Sequence, residues 1–126
     1  MKSIYLTTKG DTTIELPIPL EVEGYYCSVI EMNGKVRNGF SDNLYLCSDI
    51  CEESYVNSIK MPVLRNINRN KNNAVSKTIV NVIWLKVIRP QISSIRLYIA
   101  DEFGKIVSVE DNELSCTLLF TPLENE

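Results

Sequence analysis

With 126 residues, 44% hydrophobic and 23% charged, the chain has the make-up of one folded domain, which excludes an intrinsically disordered polypeptide and leaves room for a single core over 1–126. A formal net charge of −3 builds no field that gathers a nucleic-acid backbone or an anionic membrane, so neither is an expected partner. The absence of histidine removes Ser-His and Cys-His nucleophiles and most zinc and copper sites.

The first residues, MKSIYLTTKGDTTIEL, carry polar groups where a secretory signal has an apolar run. Ser3 to Thr8 alternates Ile4 and Leu6 with polar neighbours, and Lys9-Gly10-Asp11 reads as a turn into Thr13 to Leu16, an opening hairpin. Pro17 and Pro19 lack an N–H for a ladder and mark an edge or a connection. Gly24 introduces a β-rich run, Tyr25 to Met32. Asn33-Gly34 then supplies the strongest short hairpin signal, predicting a return strand over Lys35 to Phe40.

Asn43 to Ser48 predicts a strand with Leu44 and Leu46 on one face and Tyr45 and Cys47 on the other. Asp49 to Ser58 reads as irregular, Met61 to Ile67 as a short strand begun by proline, and Asn68 to Asn73 as a polar loop. The apolar run from Ser76 to Ile88 predicts a strand buried on both faces, with Trp84 as a core anchor; it is broken by Asn81 and Lys86 and too short to span a bilayer. After Pro90, Ile95, Leu97 and Ile99 alternate with Arg96 and Tyr98. Residues 101–105 close a hairpin, Ile106 to Val109 returns, and Asp111-Asn112 turns into Leu114 to Phe120, packed against the Ile95 face. About eight strands at this spacing predict an all-β fold, an antiparallel β-sandwich of jelly-roll or Greek-key type.

Few groups are left for chemistry. Cys27, Cys47, Cys51 and Cys116 read as free buried thiols, since three lie in apolar strands and the Cys47–Cys51 spacing matches neither a redox nor a zinc motif; a zinc site would need all four to converge. Acidic pairs at Glu52-Glu53, Asp101-Glu102 and Glu110-Asp111 with Glu113 fit solvated turns, and no spacing matches a calcium loop. The glycines are isolated, so no phosphate loop is present. No enzyme activity, catalytic residue, cofactor or metal is therefore expected. Two candidate binding features stand out: a basic loop, Arg65, Arg69, Lys71 and Lys77, and an aromatic surface, Tyr25, Tyr26 and Tyr55.

The segments Asn43 to Ile50, Met61-Pro-Val-Leu-Arg65, Ile95 to Lys105 and Leu114 to Phe120 follow one another in an order that resembles the carboxy-terminal region of β-rich virion-type proteins of Polinton/Maverick elements and adintovirus-like viruses. In that family a YCDI strand precedes a PLLR strand, and an I-x-I-x-I-x-D-x-x-G hairpin leads to a final VTLHF strand; here Leu119 stands where the pattern has histidine. The resemblance spans Asn43 to Phe120. It implies a structural or assembly protein, minor-capsid, penton-like or vertex-associated, found in the virion or in host cytoplasm or nucleus. The expected partners are copies of the chain, as a trimer or pentamer, or other virion proteins. The alternative is a receptor-, glycan- or peptide-binding sandwich, and an enzyme using paired carboxylates is a third reading.

Overall fold

The computed structural model describes residues 2–8, 11–36, 43–68, 77–78 and 82–122. These are all-β, with no helix among them. In chain order the strands are β1 (Lys2–Thr8), β2 (Thr12–Glu21), β3 (Tyr25–Val36), β4 (Asn43–Ser48), β5 (Ser54–Val56), β6 (Ile59–Met61), β7 (Val63–Asn68), β8 (Lys77–Thr78), β9 (Leu85–Lys86), β10 (Gln91–Asp101), β11 (Ile106–Val107) and β12 (Val109–Pro122). Every pairing among them is antiparallel, and the strands form two five-stranded sheets and the two-stranded ribbon β5–β6.

The first sheet runs β1-β12-β3, with β8 and β9 sharing the far side of β3; the second runs β10-β4-β7, with β2 and β11 both pairing with β10. The pairs are nested: β1 with β12, β2 with β10, β3 with β8 and β9, β4 with β7. Chain ends thus meet in one sheet while the inner pairs close successively shorter loops.

Period-two alternation explains the core. Ile95, Leu97 and Ile99 of β10 and Leu44 and Leu46 of β4 enter one interior with Leu114, Cys116, Leu118 and Phe120 of β12 in the opposite sheet. The expected packing of the last strand against the Ile95 face holds, across the sandwich and not side by side. Tyr45 and Cys47 point the other way, as their alternation requires, and with Ala100 and Tyr98 they meet Val56, Ile59 and Met61 of the ribbon. The β5–β6 ribbon thereby caps a second, smaller core on the outer face of the second sheet. Residues 49–58, read as irregular, contain β5, while Pro62 divides the Met61–Ile67 segment between β6 and β7.

Four local readings are corrected. The opening hairpin does not form: β1 pairs with β12 in the first sheet and β2 with β10 in the second, so the two strands lie in different sheets, each beside a longer partner. Asn33-Gly34 is not a turn, since β3 continues through it with Asn33 opposite Ser115 and Gly34 opposite Leu114. Residues 35 and 36 finish β3, and 37–40 lie outside the described residues. Asp111-Asn112 likewise falls inside β12, where a register shift between Val109 and Leu114 takes up the extra residues. The run from Ser76 to Ile88 is not one buried strand: β8 and β9 are two residues each, and Val82, Ile83 and Trp84 between them are exposed, Trp84 to 38%. These three precede β9, outside the pairings of the described residues. Residues 76 and 79–81 lie outside the described residues.

Prolines and glycines fall where backbone geometry needs them. Pro17 and Pro19 sit on β2, an edge strand, at the register shift between Ile92 and Ser94 of its partner. Gly24 (φ 75°) closes the β2–β3 turn, in which the Tyr25 N–H donates to the Val22 carbonyl at 2.9 Å. Gly104 (φ 81°) turns β10 into β11, and its α-carbon faces Ile59, so the turn lies against the ribbon.

Candidate functional site

Three aspartates, Asp11, Asp49 and Asp101, tie turns and strands together. Asp101 is buried, and its Oδ1 accepts the backbone N–H groups of Phe103 and Lys105, both at 2.9 Å, closing its own hairpin. Asp49, just after β4, accepts the Arg96 N–H at 3.0 Å and pairs with the Arg89 guanidinium at 2.7 Å, which ties this turn to β10. Arg96 sends its side chain to Asp11 in a two-bonded pair at 2.8 and 3.0 Å and lies over the Tyr98 ring at 4.4 Å. The guanidinium holds the Asp11 carboxyl below the usual carboxylate range. Among the described residues no three Cys, Asp or Glu side chains are placed to hold a metal ion.

The thiols are poor nucleophiles. All four cysteines are free and buried. Burial pushes Cys27, Cys47 and Cys116 up to about 12, and pushes Cys51 up as well, with the Cys27 and Cys47 thiols nearby adding to the effect.

The sequence-predicted features are dispersed. Arg65 is half-buried on β7, opposite Leu46, whereas the Lys77 backbone lies in β8 opposite Met32, in the other sheet; Arg69 and Lys71 lie outside the described residues. Tyr25 and Tyr26 are consecutive in β3 and project to opposite faces, Tyr25 packing on the core under the Lys2 ammonium, 5.3 Å from its ring. Tyr55 is exposed on the solvent side of the ribbon, with Lys60 at 5.9 Å from its ring.

The surface with the strongest physical signal is one that the sequence reading placed in the core. Residues 86–88 are stitched on both sides: the Val87 N–H donates to the Tyr25 carbonyl, the Glu52 N–H to the Lys86 carbonyl, and the Ile88 N–H to the Ile50 carbonyl, all at 3.0 Å. Val82, Ile83 and Trp84 precede this stitched segment and Ile88 ends it, all four exposed. Beside Ile88 lies an open depression of about 430 Å³ lined by Asp49, Glu52, Glu53, Lys60 and Pro62. Exposed apolar residues next to a hollow whose rim carries Asp49, Glu52, Glu53 and Lys60 suit contact with another macromolecule. The missed signal was the shortness of pairing around 82–84, which hydropathy alone does not carry.

No family model and no curated protein matches the sequence.

Proposed function

We propose that the chain is a non-enzymatic assembly protein of viral type that works through protein–protein contacts. The observation that carries the reading is the solvent-facing set Val82, Ile83 and Trp84, just before β9, with Ile88 at the end of the segment 86–88 that is hydrogen-bonded on both sides. Water is a poor neighbour for such a row, and covering it with a second protein surface removes the cost.

Topology supports the viral part. A long antiparallel ribbon rolled up so that its outermost strands pair in one sheet and the next pair in the other produces the order β1-β12-β3-(β8, β9) facing (β2, β11)-β10-β4-β7. That order fits a jelly roll, an arrangement common among capsid subunits, and the sequence resemblance described above points to the same class. Jelly rolls also serve lectins and cupins. A chain without histidine cannot build the metal site of a cupin, and the apolar row suits a protein surface better than a sugar.

Trp84 is the sole tryptophan and lies in the row, so its fluorescence reads the contact directly. Light scattering from about 5 to 300 µM is expected to show a symmetric oligomer, a trimer or pentamer, with the Trp84 emission moving to shorter wavelength as it forms. Trp84→Asp is expected to weaken this association and leave the fold intact. A strict monomer over the whole range, with unchanged emission, would sink the reading.

A further inference from the structure

The two sheets present four edges to solvent, and among the described residues three carry devices that stop another strand from adding. The β2 edge holds Pro17 and Pro19 and a register shift, along with Glu15 and Glu21. The β7 edge follows Pro62 and shifts register between Leu46 and Cys47 of its partner. The far side of β3 carries only the two-residue strands β8 and β9, with residues 50–52 stitched alongside.

β1 has none of these. It pairs with β12 over seven consecutive residues, Lys2 with Phe120 through Thr8 with Leu114, without a shift, and it contains no proline. Strand backbones alternate the direction of their N–H and C=O groups, so a strand bonded on one side offers a row of donors and acceptors on the other. Ile4 is half-buried on this rim, packed against the core yet open on its outer side, while Tyr5 is 66% exposed and Ile18 of β2 is 77% exposed. Lys2 Nζ donates to the Glu21 carbonyl at 2.9 Å, which brings the two sheets' edges together here; Tyr5 and Ile18 each lie three residues along their strands from that contact.

We infer that the β1 edge joins the β1 edge of a second copy of this chain in an antiparallel pair about a two-fold axis at Tyr5. The inference rests on the reading that the chain works through protein contacts, and it names a surface separate from the Trp84 row. The strand is self-complementary in that register. Ser3 falls opposite Thr7, Ile4 opposite Leu6, and Tyr5 opposite its own copy, so polar meets polar and apolar meets apolar at every position. No charge lies between Ser3 and Thr7, so the pairing brings no like charges face to face; the same operation on β2 would set Glu15 and Glu21 on a shared edge. The first sheet becomes continuous through both molecules.

Size sets the strength. Seven residues at ~3.3 Å each, on a sandwich whose layers are ~10 Å apart, give a contact of roughly 200–300 Å² per copy, against about 800 Å² for a standard stable interface. The dimer is therefore weak and reversible, seen at tens to hundreds of micromolar and lost on dilution.

The test uses the Trp84→Asp chain, in which association through the 82–88 row is removed, followed by sedimentation velocity across that concentration range. A reversible dimer is expected. Adding Tyr5→Lys, which sets two ammonium groups opposite each other, is expected to raise its dissociation constant about tenfold, and Tyr5→Glu to do the same. Mixing the Tyr5→Lys chain with the Tyr5→Glu chain, with unchanged circular dichroism confirming their folds, is expected to restore the dimer, because only the two-fold register places residue 5 against residue 5. If Trp84→Asp is already monomeric while the unsubstituted chain is an oligomer, the β1 inference fails and the proposed function stands; a monomeric unsubstituted chain ends both. Dimerisation unaffected by either charge, or no recovery on mixing, also overturns the β1 pairing.

Discussion

Cys27, Cys47 and Cys116 have their thiols pushed up to about 12 by burial, and Tyr98, opposite Cys47 on the neighbouring strand, is raised to about 12 by burial and by that thiol. In the unfolded chain the same groups ionise at their ordinary values near 9 and 10. A group raised on folding adds stability below its unfolded value and loses it as pH climbs to the folded one. Stability is thus expected to be flat up to about pH 8.5 and to fall steeply between pH 9 and 12, with several groups acting together, as followed by urea midpoints across that range. A midpoint unchanged from pH 8 to 10.5 would contradict the burial of these thiols. A thiol-reactive dye gives a companion measurement: at pH 8 the native chain should react slowly at all four cysteines and the denatured chain at once. Burial also governs Phe120, the largest fully enclosed side chain among the described residues, sitting between the sheets. Phe120→Ala is expected to cost roughly 3–5 kcal/mol in chemical denaturation, a large part of what a domain of this size has.

At the scale of elements, Gly24 and Gly104 make a matched pair. Both hold positive φ, yet a Cβ on Gly24 meets nothing within 4 Å, whereas one on Gly104 touches Ile59 at 3.4 Å, an ordinary contact. Alanine at either position should therefore cost about 1–2 kcal/mol, from backbone strain in both and not from crowding, so equal losses by thermal melting are expected. Where alternation is strict and both neighbours are long, as at Ile95 to Ile99, Leu44 to Cys47 and Leu114 to Phe120, the strand and its buried face are legible from the residues alone. The misreadings share one cause. Asn33-Gly34 and Asp111-Asn112 each carry local turn chemistry, but Asn33-Gly34 is itself paired with Ser115 and Leu114, and Asp111-Asn112 sits in a register shift flanked by the paired residues Val109 and Leu114, so pairing along β3 and β12 outweighs the local preference. Val82 to Trp84 failed in the opposite direction. Hydropathy registers that a side chain prefers a dry site, while the pairing of 77–78 and 85–86 decides that none is available to it within a single chain. The proposed contact surface was for that reason illegible: its residue types are those of a core, and only topology distinguishes the two.

At the scale of the molecule, nested pairing orders the cost of folding. Joining β4 to β7 closes the short connection after Ser48, whereas joining β1 to β12 brings together strands from opposite ends of the chain. Closure entropy grows with the logarithm of the loop, so an isolated outer pair gains less from the same contacts, and becomes favourable once the inner pairs have shortened the effective loop. The β4–β7 hairpin, with Leu46 and Ile67 fully buried, is also the piece onto which the β5–β6 ribbon folds, so local contacts reinforce it. The transition state should then contain the inner pairs and lack the outer one. Leu46→Ala is expected to slow refolding by most of its stability loss, a φ-value near 0.6 or above, while Leu6→Ala on β1 should leave refolding nearly unchanged and speed unfolding, a φ-value of about 0.2 or below. Stopped-flow chevrons of the two variants decide the matter, provided each loses more than about 0.6 kcal/mol so that the ratio is defined, which burial of both leucines ensures. Equal φ-values at the two positions would mean that the chain ends come together as early as the centre, and that the nesting seen in the final structure leaves no trace in the order of its assembly.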